Sequence, residues 1–586
     1  MRRVSSPRRS FLRVSLLLAL VVAAAPAPVA AQAVKGTLLG TVTDGSGAAI
    51  AGAQVTATEV NTNIGHSALT NDTGNYVFAS LDDGTYTIAV EKPGFKKAVQ
   101  ANVLLAANQS IRTDLRLAPG TVTETVEVTA TPLGLQTDRV DTGRTIPEQA
   151  VRDLPTGASG NVQSLAVLLP GMTNTPHNPH SQFFNSQQAL AFTINGQSRL
   201  SNSEQIDGLN NDERTGLLQI VTPNRDSVQE VSITTGNFEA EFGRAGGSIT
   251  NVILKSGGNN FHGTAYEYLQ NSALNAGPYN VWDGTGTFAP GLKSPSKYNQ
   301  FGGSFGGPIR HNKTFFFVDY QTEINHSGSS ATYTVPNDAF RHGDFSALLT
   351  PAGGTTYTNC AAFKTTGFCP DLVYDPSTGG SDPNSRQPFA GNIVPLAVQQ
   401  ANPAYATVQK LLSFIPEPNV PGRLFGNYRT TVNTQAVTNS FDVKLNHQPN
   451  ANETYDARFT YERPTVTSPG VYGLYGGPSN GGFNGIGVDN TYQGSVDYTR
   501  AFSPSLLSEF RFGVSRYRND ARNSDYGKAT SAAIGIPGAN LDTFSSGLTT
   551  INLGSFSNPI LGYSNSLPWV RAETAFEAVN NWTKIV

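Results

Sequence analysis

From residue 257 onward, apolar and polar residues alternate with a period of two. Thr314 to Ile324 sets Phe316, Val318, Tyr320 and Ile324 on one face and Asp319, Gln321 and Glu323 on the other. Phe441, Val443 and Leu445 alternate with Asp442, Lys444 and Asn446, and Tyr455, Ala457, Phe459 and Tyr461 with Asp456, Arg458, Thr460 and Glu462. Phe510, Phe512 and Val514 alternate with Glu509 and Arg511. This period predicts strands with two unlike faces. Runs of about ten residues cross a bilayer at a tilt. Tyr and Phe recur near the strand ends, and ionised residues sit deep in the polar face, as suits a barrel with lipid outside and water within. A soluble sandwich has the same periodicity with the apolar faces turned inward. Strand length, aromatic ends and mid-strand charges favour the barrel.

Upstream the periods are shorter. Residues 34–118 predict a small β-sandwich with strand cores Leu38 to Thr43, Ala53 to Val60, Tyr76 to Ala79 and Tyr86 to Val90. Turn signals separate them at Asp44-Gly45-Ser46-Gly47, Asn71 to Asn75, Asp82-Asp83-Gly84 and Lys92-Pro93-Gly94. Residues 119–132 form a linker in which Thr123 to Ala130 is a short β-prone run. Residues 133–256 read as a mixed α+β unit. Gln163 to Leu169 predicts a short helix stopped by Pro170-Gly171. Phe192-Thr193-Ile194-Asn195-Gly196 and Glu204-Gln205-Ile206-Asp207-Gly208 resemble the paired strands of receptor plug domains, which end in Arg-Gly and Asp-Gly turns, with Asn195-Gly196 replacing the Arg-Gly, and Ser248 to Leu254 predicts a strand before the turn at 257–260. Residues 326–437 lack sustained alternation, which a compact soluble domain does not tolerate over such a length and which an extracellular barrel loop accommodates.

Composition narrows the reading. Among 586 residues there are 59 Gly, 35 Pro, 21 Tyr and 31 Phe but only 14% charged residues, as turn-rich β architecture requires. A net charge of −3 leaves no electrostatic footprint for nucleic acid. The first 33 residues predict a signal peptide: Arg2, Arg3, Arg8, Arg9 and Arg13 precede the apolar run Val14 to Ala25 and small residues up to Ala33. Arg8-Arg9-Ser10-Phe11 resembles a twin-arginine signal; an ordinary secretory n-region is preferred, because a barrel crosses the inner membrane unfolded. In an exported chain, Cys360 and Cys369 are expected to form a local disulfide, and two thiols make a poor metal site.

The string GTVTDGSGAAIAGAQVTATEV, with TNDTGNYVF and GTYTIAVEKPGF, is similar to the carboxypeptidase-regulatory-like domain. This resemblance implies a transthyretin-like sandwich acting as a spacer. The family is sometimes described as carbohydrate-binding, but no aromatic platform in the segment supports that use. The stretch EFGRAGGSITNVILKSGGNNFHGTAYEYL resembles the junction between the plug and first barrel strand of a TonB-dependent outer-membrane receptor. Gly306-Gly307-Pro308-Ile309, Lys313 to Phe317, Gly343-Asp344-Phe345-Ser346 and Val373-Tyr374-Asp375-Pro376 recur in this order in Oar-like receptors. The resemblance implies a plug at 133–256 and a partial barrel at 257–586. It also implies a TonB-box-like segment at Glu124, Thr125, Val126, Glu127, Val128, Thr129 and Ala130 that pairs by its backbone with a TonB-type energy-transducing partner. Its surroundings would be outer-membrane lipid, and its cargo an unknown carbohydrate, peptide or chelated iron. About eight to ten strands are countable after residue 257, and a plug-bearing barrel needs about twenty-two, so the chain is expected to be part of a longer receptor.

Catalytic chemistry finds no foothold. There is no HExxH, Walker loop or strand-to-helix nucleophile elbow. The run Gly302 to Gly307 precedes a proline and a strand, and His262 and His311 are expected to be solvated. Asp207, Asp212 and Glu213 form an acidic cluster that a calcium ion could use, but they lack EF-hand spacing and are expected to form a solvated loop. No cofactor and no enzymatic activity are expected. The rival reading is a non-transporting adhesin or carbohydrate-binding surface protein built from the sandwich and the long loop.

Overall fold

The structure is a computed structural model. It describes residues 35–107, 109–121, 125–128, 142–154, 161–174, 192–236, 245–276, 281–282, 288–289, 294–349, 372–381, 385–478, 483–503, 506–552, 560–564 and 566–584. The signal segment, Glu124, Thr129, Ala130, Cys360 and Cys369 lie outside these residues.

The first unit is a two-sheet sandwich. Its strands are β1 (Gly36–Thr43), β2 (Gln54–Glu59), β3 (Gly65–Leu69), β4 (Asn75–Leu81), β5 (Gly84–Glu91), β6 (Lys97–Leu105), β7 (Ser110–Arg112) and β8 (Leu115–Arg116). One sheet runs β4-β1-β7, with β8 also on β1; the other runs β3-β2-β5-β6 and ends on β9 (Thr125–Val128). Alternate residues Leu38, Val42, Val55, Ala57, Tyr76, Phe78, Tyr86, Ile88 and Val90 fill the core. The buried tyrosines satisfy their hydroxyls locally: Tyr76 donates to the Thr113 carbonyl at 2.6 Å and Tyr86 to that of Asp82 at 2.9 Å. Gly40 faces this core because a Cβ there would sit 1.9 Å from the Thr113 oxygen. Four of these strands lie where the alternation predicts them; β3, β6, β7 and β8 were not foreseen.

The second unit carries β10 (Thr142–Pro147), β11 (Met172–Asn174), β12 (Phe192–Ile194), β13 (Ser203–Ile206), β14 (Leu209–Asn210), β15 (Val228–Thr235) and β16 (Ser248–Leu254). The main sheet has the order β10-β15-β16-β13-β14, with β13 parallel to β16. Every residue of β16 is buried, as befits a central strand covered on both faces. The predicted helix is a 3-10 helix, Val162–Leu168, capped by Asn161, whose side chain accepts from the Gln163 N–H at 2.9 Å. Asp207 and Gly208 both adopt positive φ (47° and 74°), the geometry of a two-residue hairpin turn between β13 and β14.

The third unit is one antiparallel sheet of eight strands in sequential order: β17 (His262–Asn271), β18 (Ser296–Arg310), β19 (Thr314–Tyr333), β20 (Tyr428–Asn450), β21 (Glu453–Ser468), β22 (Gly485–Ser503), β23 (Leu506–Arg522) and β24 (Trp569–Lys584). It is open, with β17 and β24 at its edges. Phe441, Phe459, Tyr492, Phe510 and Phe512 stand exposed on one face, while Asp442, Arg458, Thr460, Glu462, Gln493 and Arg511 are buried on the other against the second unit. The sense of the alternation is therefore the one a lipid-facing wall requires. Most strands run 15 to 23 residues, longer than the predicted runs, because polar Thr, Ser and Asn positions extend the hairpins past the apolar band. Gly302 to Gly306 spells a Gly-x-Ser-x-Gly pattern, but it lies inside β18, where Ser304 bonds Thr264 at 2.8 Å. It forms no nucleophile elbow.

Long connections leave from one end of this sheet, and short turns such as that between Asn450 and Glu453 close the other. The connection from Tyr333 to Tyr428 is shorter than the expected 326–437 loop and carries helices Leu396–Ala401 and Tyr405–Ser413. Val335 and Ile415 pack with Ile534, Leu548 and Leu561 from the last long connection. The long loops thus share one apolar cap.

Candidate functional site: the seat of the second unit

The second unit sits against the polar face of the eight-stranded wall, and the Asp207-Gly208 turn is the centre of the contact. The left-handed turn points the Asp207 carboxylate back along β16, where it accepts from the Leu254 N–H at 3.1 Å, while the Asp207 N–H donates to the Val252 carbonyl at 2.9 Å. Two cations of the wall meet the same carboxylate: Lys444 on β20 at 3.2 Å and Arg458 on β21 at 3.5 Å. Lys444 also donates to the Leu254 carbonyl at 2.8 Å, and Arg458 to the Ile206 carbonyl at 3.3 Å and to Gln493 at 2.9 Å. The hairpin is therefore gripped through its backbone as well as through its charge.

Around this centre the wall offers acceptors to backbone donors. Glu462 accepts from the Thr222 N–H at 2.8 Å, Glu577 from that of Asn210 at 3.3 Å and Glu573 from that of Arg214 at 3.1 Å. Gln493 donates to the Asn210 carbonyl at 2.9 Å. Asn224 donates to Asp319 at 2.9 Å and accepts from Ser440 at 2.5 Å. One close apolar contact fits among them: Leu209 lies over Gly513, where a Cβ would come within 2.1 Å of the leucine. A seat made mainly of hydrogen bonds exchanges its partners for water at modest net cost, whereas an apolar seat of equal area would resist every displacement.

The sandwich closes the short-turn end of this assembly. Lys35 lies 3.1 Å from Asp82 and 3.4 Å from Asp456 of the wall. Burial works to lower its pKa, but these carboxylates and Glu509 outweigh that and hold the ammonium well above the usual lysine range. The Ala107 N–H donates to Glu230 on β15 at 2.6 Å, and Asn259 donates to the Asn61 and Thr62 carbonyls at 2.9 and 2.7 Å. A cavity of about 520 Å³ lies where the three units meet, lined among others by Lys35, Asp83, Asp207, Lys444, Arg458 and Phe317. Burial, with Asp83 nearby, pushes Glu230 up to about 8. Within the second unit, burial and the facing Asp212 push Glu204 up to about 8 as well.

The expected solvated loop at Asp207, Asp212 and Glu213 is corrected by this geometry. Asp212 and Glu213 are buried, and all three are engaged: Asp212 accepts from the Glu204 N–H at 3.3 Å, and Glu213 accepts from the Thr215 and Gly216 N–H groups and faces Arg571 at 3.9 Å. His262 and His311 are exposed, as expected. Of the box-like segment, Thr125–Val128 form β9, paired with β6. The wall residues that complete the seat escaped sequence reasoning. Mid-strand charges marked the face, but nothing in the sequence pairs Lys444 or Arg458 with a turn more than 200 positions away.

The family model for the outer membrane beta barrel domain matches residues 253–586, and that for the carboxypeptidase regulatory-like domain matches residues 37–118. The chain is 28% identical over 299 residues to the TonB-dependent transporter Oar of Myxococcus xanthus, covering 50% of this chain and 27% of that protein. It thus spans about a quarter of the relative's length. Among solved structures it is similar to the outer membrane transporter YddB from Escherichia coli (12% identity, 66% of this chain and 40% of that chain, TM-score 0.39). It is also similar to the ferric enterobactin receptor PfeA of Pseudomonas aeruginosa (12% identity, 65% and 41%, TM-score 0.32).

Proposed function

The chain belongs to the outer membrane beta barrel domain family, and from that premise we propose that it acts in a TonB-dependent transporter of the outer membrane. Residues 133–256 are the plug, 257–586 contribute wall strands, and 34–118 form a sandwich on the periplasmic side. The long connection within 326–437, braced by a Cys360–Cys369 disulfide, faces outward and meets the ligand, whose chemical class is a carbohydrate, a peptide or chelated iron. Glu124 to Ala130 form the segment on which a TonB-type complex pulls. The outer membrane has no nucleotide supply, so the work comes from the inner membrane through that partner.

The observation that carries this reading is the polar seat. Asp207 is held jointly by Lys444 and Arg458, and plug backbone donors end on wall carboxylates. A stopper bound by hydrogen bonds is secure at rest and movable under load. The test replaces Val126 by Pro, which removes a backbone donor and breaks strand addition. Energised uptake of the cargo is expected to vanish while equilibrium binding at the outer loops stays within about twofold, a change of roughly 0.4 kcal/mol. Uptake that survives Val126→Pro would overturn the proposal.

A further inference from the structure

The sheet that ends the sandwich carries an occupant foreign to it. β6 pairs with β5 along one edge, and the first four of its nine residues take β9 along the other, in parallel register: Lys97 with Thr125, Ala98 with Val126, Val99 with Glu127 and Gln100 with Val128. The chain is delivered to this edge by its own backbone. Lys96 N–H donates to the Ala118 carbonyl at 2.8 Å and Gly120 N–H to that of Gly94 at 3.1 Å. The segment that emerges therefore lies beside β6 at a high effective concentration.

We propose that this edge of β6 is a docking surface for the box-like strand, and that a TonB-type partner engages the strand only by displacing β6 from it. The inference rests on the reading of Glu124 to Ala130 as the partner segment. A partner that recognises an extended segment by strand addition needs its row of backbone N–H and C=O groups. While β9 lies on β6, the groups facing that edge are already spent. The exchange is feasible because the resident ladder is short and parallel, and parallel pairing is slightly weaker per residue than antiparallel. Thr-Val-Glu-Val is β-prone and joins whichever edge offers the longer ladder. The sandwich is anchored to plug and wall through Ala107–Glu230, Lys35–Asp456 and Asn259–Asn61, so it does not follow the strand. The apparent affinity of the partner is its intrinsic affinity reduced by the fraction of chains with β9 released, which makes the sandwich a governor of coupling.

The test locks the pair. Neighbouring strands lie about 4.8 Å apart, a Cα separation a disulfide bridges. In the full chain with Cys360→Ser and Cys369→Ser, the pair Gln100→Cys and Val128→Cys is expected to cross-link on oxidation. The probe is the purified periplasmic domain of a TonB-type protein. Binding is expected in the reduced chain, lost on oxidation and restored by reductant. Equal binding in both states means the partner uses the outer edge of β9, and failure to cross-link means the pairing is absent; either overturns the proposal. The box reading is judged separately on the parent chain, where Val126→Pro should abolish binding. If the parent does not bind the probe, that reading falls and this inference with it.

Discussion

At the scale of single residues, Asp207 shows how much the seat depends on one carboxylate. It lies at positive φ, where Asp and Asn are tolerated and most side chains are strained. It meets two cations, the buried Arg458 and the half-buried Lys444. Removing one partner of a buried charge group leaves the others uncompensated, at a cost of about 3–5 kcal/mol. Asp207→Ala is expected to lose both the charge and the turn, and to raise amide exchange in β13 and β16 by the corresponding factor. Asp207→Asn keeps the turn and an acceptor for the Leu254 N–H, so its cost should be clearly smaller. Equal exchange rates in the two variants would show that the ion pairs add nothing to the seat. The turn itself was legible through resemblance, as the Asp-Gly that closes a strand in receptor plug domains, and its hairpin geometry follows. Its partners were not, because charge pairing across the chain leaves no local periodicity.

At the scale of elements, the alternation revealed which face of each strand is apolar, and the structure turns that face outward. Phe512 is 41% exposed at the middle of β23 while its neighbour Arg511 is buried on the opposite face, paired with Asp497 and Glu509. A charge introduced at the bilayer midplane costs about 2–4 kcal/mol. Phe512→Arg should therefore lower the yield of chain inserted into lipid bilayers, measured by flotation, far more than Phe512→Leu does. Gly513 tests the opposite face. Gly513→Leu collides with Leu209, and overpacking of this kind costs about 1–3 kcal/mol. Leu209→Ala in the same chain should recover most of the loss, and additive effects on denaturant midpoint would exclude the contact. Strand length was underestimated because the polar extensions carry no apolar period. Phe315 and Phe317 are buried on the polar face, opposite Phe316, as the alternation assigns them.

At the scale of the whole molecule, the sandwich, second unit and wall meet around one cavity, and the protonation of Glu230 links their docking to pH. Docked, Glu230 is buried, lies near Asp83 and titrates at about 8, although the Ala107 N–H favours its ionised form. Undocked and solvated, it returns toward its ordinary value of 4.5. A carboxyl whose docked pKa is raised holds a proton that the free form has already released, so docking is strongest below about 4.5, weakens through the interval and carries its full penalty above about 8. Energy transfer between a label in the exposed Asp44–Gly47 turn and one on the wall should therefore fall as pH rises across that window. Glu230→Gln should remove most of the slope. A residual step near pH 6 belongs to Asp83, which burial pushes up to about 6 against the pull of Lys444. An unchanged slope in Glu230→Gln would mean that the acidity response of the docking arises from groups other than Glu230. The displacement of β9 would then proceed from a platform whose response to acidity does not pass through the Ala107–Glu230 contact.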